Sequence, residues 1–70
     1  MATSVYKVIE VIGTSEVSWE EAATVAVERA SKTLSDLRIA EVQTLDMKIE
    51  EGKILCYRTK VKLSFKIVSE

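Results

Sequence analysis

RIAEVQTLDMKIEEGKILCYRTKVKLSF, Arg38 to Phe65, alternates apolar and polar side chains on both sides of Glu51-Gly52. A period of two belongs to strands with one buried face, so the stretch reads as two long strands joined in a hairpin. Asn-Gly or Asp-Gly is the stronger two-residue turn signal, but Gly52 still supplies the positive φ such a turn requires. With Glu51 and Gly52 as the loop, Val42 is expected opposite Val61, Ala40 opposite Leu63, Leu45 opposite Arg58 and Met47 opposite Cys56. That register assigns the faces. Ala40, Val42, Val61, Leu63 and Phe65 share one of them. The other carries Ile39, Glu41, Gln43, Arg58, Lys60 and Lys62, and turns apolar near the loop with Leu45, Met47, Ile49, Ile54 and Cys56. A monomer does not leave such a set in water, so it is read as an interface between subunits. The alternative is a bulge near Thr44 that re-aims the same residues.

Upstream, VYKVIEVIGTS (Val5 to Ser15) is rich in β-branched residues and closes on Gly13, Thr14 and Ser15, which predicts a strand. Tyr6, Val8 and Ile12 lie on one parity, Ile9 and Val11 on the other, so both faces are expected to be covered. Gly13-Thr14-Ser15, with a single glycine, is read as an ordinary turn before a helix and not as an anion cradle. Ser18-Trp19-Glu20-Glu21 is a capping box: the Ser18 hydroxyl accepts from the Glu21 amide and the Glu21 carboxylate reaches back to the Ser18 amide. A helix starts there. Ala23, Ala26, Val27, Ala30, Leu34 and Leu37 then recur at three- and four-residue spacing and form an apolar stripe ending near Leu37. Glu28, Arg29, Lys32 and Asp36 fall on the opposite, solvated side. The order is β-α-β-β and the class α+β. A right-handed crossover followed by a hairpin gives a three-stranded antiparallel sheet of order 1-3-2 with one helix on one face.

Composition bounds the function. Seventy residues, 1–70, make one domain, and so short a chain buries only about 60% of the surface its unfolded form exposes. The sequence is 47% apolar but has no proline, no histidine and a single cysteine, so neither a disulfide nor a zinc site reinforces the core. Association with copies of itself is the remaining route to stability. Ten basic and eleven acidic residues nearly cancel, which argues against nucleic acid or an anionic membrane as partner. No signal pattern and no run of about 20 apolar residues is present, so a cytoplasmic location is expected. Cys56 is read as a small buried or interfacial residue, since no histidine activates it. With no paired acid and base and no glycine-rich phosphate loop, an enzyme is not expected.

VYKVIEVIGTS, SWEEAA, ERASKTL with the following DLR, AEV, and YR with KVKLSF resemble the dodecins from Tyr6 to Val68. The resemblance implies a small flavin-binding protein that assembles as a hollow homododecamer of cubic symmetry, each long-stranded sheet wrapped around its own helix. In flavin-binding dodecins a tryptophan early in the second strand stacks on the isoalloxazine ring and a glutamine of the third strand bonds its polar edge. Those places fall on Ile39 and Arg58, with Glu41 and Gln43 nearby as further cofactor-binding candidates. Without the aromatic platform, FMN or riboflavin is expected to bind weakly or not at all. Trp19, in the first helical turn, is no substitute and is expected to pack against strand ends. Arg58 with Lys60, Lys62 and Arg38 would favour an anionic nucleotide over neutral riboflavin, unless these cations pair with Glu41 and other carboxylates across subunits. The resemblance also raises calcium, because dodecin-like chains without the tryptophan include calcium binders. Glu16, Glu20 and Glu21 are the first metal candidates, and Asp46, Glu50 and Glu51 offer the same hard oxygen chemistry.

Overall fold

Ser18 starts the helix where the capping residues place it. In the computed structural model, which describes residues 3–67, the chain runs β1 (Val5–Ser15), α1 (Trp19–Thr33), β2 (Leu37–Glu50) and β3 (Lys53–Ile67). Val68, where the family likeness ends, lies outside the described residues. Ser18 is extended, and its Oγ accepts from the Glu21 N–H at 3.0 Å. The second half of the expected capping box is made differently. The Glu21 carboxylate accepts from Ser15 Oγ at 2.8 Å, and that hydroxyl oxygen accepts from the N–H groups of Val17 and Ser18. The last residue of β1 thereby satisfies the orphan amides before the helix and fixes the angle between the two elements.

The helix ends at Thr33, with Leu34 extended, and not near Leu37. Asp36 takes a left-handed conformation, φ 62°, which aspartate tolerates better than most residues. Leu37 opens β2 and packs on the core cluster of Ala26, Val61 and Leu63 from the strand side. Leu34 and Leu37 keep helical spacing in sequence, but the turn between them puts the second on the sheet. Asp36, expected on the solvated face of the helix, is part of that turn.

The sheet has the expected order, β1-β3-β2, with β3 antiparallel to both neighbours. Near the helix the hairpin register also holds, with Val42 opposite Val61 and Ala40 opposite Leu63. Beyond Val42 it does not. Gln43 is an extra residue on β2, so Leu45 faces Thr59, Asp46 faces Arg58 and Met47 faces Tyr57. A one-residue slip moves side chains to the other face. Leu45 and Met47 therefore rejoin the helix side, while Cys56, opposite Lys48, stays on the helix-free side. The apolar set expected as one outward patch is split by this bulge. The cause is legible in the strand: Gln43-Thr44 puts two polar residues between Val42 and Leu45, and only an extra residue keeps both apolar side chains on one face. Further shifts at Arg38 and at Leu55 adjust the two ends of the hairpin.

Packing is tightest where β1 crosses α1. A Cβ at Gly13 would collide with the carbonyl oxygen of Ala22 and press on Ala26 Cβ at 3.0 Å. Glycine and two alanines let the helix lie on the sheet, and Ala22, Ala26, Val61 and Leu63 form the buried apolar core. This is little for a chain with a Cα radius of gyration of 14.6 Å and extents of 54 × 20 × 14 Å. A compact domain of this length has a radius near 11 Å. Much apolar surface stays outside, including Val8, Ile12 and Ile39 on the helix-free face and Ile49 and Ile54 near the turn. No helix among the described residues is long and apolar enough to cross a membrane.

Candidate functional site

The helix-free face of the sheet holds the residues singled out for binding. β3 lies in the middle and presents Arg58, Lys60 and Lys62 outward. β1 sets Thr14, Ile12 and Glu10 beside them, and β2 sets Asp46, Thr44 and Glu41 on the other flank. Arg58 donates through Nε and Nη2 to the two carboxylate oxygens of Asp46, at 2.7 and 3.0 Å. Lys60 approaches Glu10 at 3.9 Å, and Lys62 stands in register with Glu10 on one side and Glu41 on the other. Each of these three cations thus has a carboxylate of its own chain on a neighbouring strand. The Arg58 hydrogen bonds hold the Asp46 carboxyl below its ordinary value, and the same bonds push the guanidinium further up.

Ile39 and Arg58 do not meet within one chain. Ile39 faces Ser64, six residues along β3 from Arg58, about 20 Å at strand rise. Ile39 is 60% exposed, so a flat ligand at that end would find an aliphatic surface and no ring. Glu41 sits opposite Lys62, and Gln43 is the bulge residue itself. A site using Ile39 together with Arg58 needs a second subunit.

Trp19 is spent on structure, as expected. Its indole N–H donates to the carbonyl oxygen of Asp46 at 2.9 Å, its ring meets Tyr57 edge-on with centroids 5.0 Å apart, and its own carbonyl accepts from Thr59 Oγ1. These contacts pin the first turn of α1 to the hairpin just past the bulge. Beside them Trp19, Glu20, Ala23, Val42, Leu45 and Thr59 line an open groove of about 370 Å³. The sequence offers Asp46 only as a hard-oxygen donor and not as the partner of Arg58. Its partnership with Arg58 exists only in the bulged register; the unbulged pairing sets Leu45 there instead.

The acidic candidates are dispersed. Glu21 is engaged by Ser15, Glu20 rims the groove, and Glu16 lies in the link between β1 and α1. Among the described residues no three acidic or cysteine groups come together in a way that holds a metal ion.

A sheet of three long antiparallel strands folded over one helix, with its charged and apolar outer face left open, defines a class of small α+β proteins. The Dodecin family model matches residues 5–68, and the chain belongs to the dodecin family. It is 48% identical over 64 residues to a Mycobacterium tuberculosis protein named calcium dodecin, covering 91% of this chain and 90% of that one. It is 36% identical over 63 residues to a dodecin of Thermus thermophilus, covering 90% and 91%. Among solved structures, a dodecin from Streptomyces coelicolor superposes with a TM-score of 0.90 at 36% identity over the whole of both chains. The M. tuberculosis calcium dodecin, described as a calcium-chelating antigen with a novel calcium-binding site, superposes with a TM-score of 0.82 at 50% identity over 96% of each.

Proposed function

We propose that this chain is a non-enzymatic subunit of a hollow homododecamer that binds or stores a small ligand, and that the ligand is calcium in preference to a flavin. The observation that carries the preference is the Asp46–Arg58 fork. The guanidinium standing where flavin-binding dodecins have a glutamine is closed on a carboxylate of its own chain, and Ile39 offers no π-face for stacking. A flavin would lose both its platform and its polar contact. Calcium is supported by the 48% identity, over 91% of the chain, to the protein named calcium dodecin. It is supported too by the carboxylates Glu16, Glu20 and Glu21, which one chain keeps apart and rotational symmetry can converge from several.

Assembly is supported by the thin core and the open apolar face. Mass measurement in solution tests it directly, and a stable monomer would end this reading. For the ligand, calcium well above its dissociation constant should raise the melting temperature or protect the assembly, and a chelator should reverse the effect. Unchanged melting in calcium, with tight stoichiometric quenching of flavin fluorescence, would overturn the preference. A flavin or flavin-nucleotide carrier with a weakened site is the second reading, favoured by the exposed Ile39, which can cover one side of a ring by dispersion. On that reading Ile39→Trp with Arg58→Gln should tighten riboflavin binding markedly.

A further inference from the structure

Arg58 carries a fork suited to an oxyanion, and the chain fills it from within. Two N–H groups on the two oxygens of one carboxylate is the geometry in which a guanidinium takes a phosphate or an external acid. Asp46 is held in this place from its backbone side. The extra residue Gln43 sets it opposite Arg58, and the Trp19 indole N–H grips its carbonyl oxygen. The neighbouring cations are answered as well, Lys60 by Glu10 and Lys62 by register with Glu10 and Glu41. An anion arriving at Arg58 would have to displace the Asp46 carboxylate and then sit beside it. Like charges at that spacing repel.

We propose that Asp46 is a specificity-determining residue, an internal anion that occupies the Arg58 fork and keeps phosphate-bearing ligands off the helix-free face. The proposal rests on the second reading above, in which a flavin or flavin nucleotide sits on this face. Beneath the carboxylate lies a latent phosphate site made of Arg58 and Lys60, with the Thr14 hydroxyl in register on β1.

FMN and riboflavin differ by one phosphate and serve as the probe pair. Fluorescence titration of the full chain at low ionic strength should give an FMN-to-riboflavin affinity ratio at or below one. Asp46→Ala should raise that ratio about tenfold, and added salt should shrink the gain. Asp46→Ala combined with Arg58→Gln should return the ratio to its starting value. If Asp46→Ala does not assemble, the near-isosteric Asp46→Asn removes the charge alone and should move the ratio the same way, by less. An unchanged ratio in the assembled variants, no FMN binding to them, or a gain that survives Arg58→Gln overturns the proposal. Calcium plays no part in this measurement. A chain that ignores calcium would sink the proposed function and leave the Asp46 result standing, and the reverse holds too.

Discussion

Gly13 and Ala22 meet so closely that no other residue fits at position 13. Gly13→Ala drives a methyl group into the Ala22 carbonyl, an immovable backbone atom, so β1 and α1 must separate. The expected cost is about 1–3 kcal/mol, read as a lower denaturation midpoint. Asp46 invites a pH test. Its folded pKa is depressed, chiefly by the Arg58 hydrogen bond, so its stabilising contribution is present above the ordinary aspartate value of 3.8 and is lost as pH falls through the folded value. Wild-type and Asp46→Asn chains should differ in melting temperature at neutral pH and converge in acid. A difference that persists or grows in acid would mean the carboxylate charge plays no part. Because the pair is exposed, the neutral-pH difference should be small.

At the scale of the element, the bulge in β2 decides which residues the hairpin offers to which side. Deleting Gln43 restores an unbroken two-residue alternation. Val42, Leu45 and Met47 then share the helix side with no extra residue between them, and Thr44 and Asp46 keep their places opposite Lys60 and Arg58. The Trp19 bond to the Asp46 carbonyl should therefore survive the deletion, with tryptophan fluorescence unchanged and little loss of stability. A red-shifted fluorescence with a marked loss of stability would show that the local kink of the bulge, and not the register alone, holds Trp19 in place. The turn is open to improvement. Glu51 and Gly52 have φ of 51° and 76°, both central residues of a type I′ turn, and only the second is suited to it. Glu51→Asn should stabilise the hairpin by about 0.5 kcal/mol, seen as a raised midpoint in urea.

The whole molecule is an elongated sheet with a small core and an apolar exterior. Val8, Ile12 and Ile39 sit among the paired charges of the helix-free face and stay about half exposed. Ile12 is half exposed, so Ile12→Glu removes little from the chain's own core. If copies bury this face against one another, the substitution places an unpaired carboxylate in an interface, and the mass in solution should fall toward that of the 7.8 kDa chain. Retention of the wild-type mass would move the interface elsewhere, to the groove at Trp19 or the end of the hairpin.

The strand period, the Ser18 cap and the helical spacing of the alanines determined by themselves that this chain is β-α-β-β with the helix on one face. Those signals are local, each set by side chains within a few residues of one another. The open outer face was foreseeable on the same grounds, because seventy residues with this composition cannot cover both sides of a sheet. What only the tertiary structure decided is that the break in alternation at Gln43-Thr44 becomes a bulge. The bulge at Gln43 adds one residue to one strand, and whether it forms depends on Trp19 and Ala23, distant in sequence, offering Val42 and Leu45 a common surface. The pairing of Asp46 with Arg58 follows from that single slip, and so does the closed state of the guanidinium. The helix end went the same way: Leu34 and Leu37 keep the helical period, but Leu37 packs on the core cluster from the strand side, and the helix ends four residues sooner.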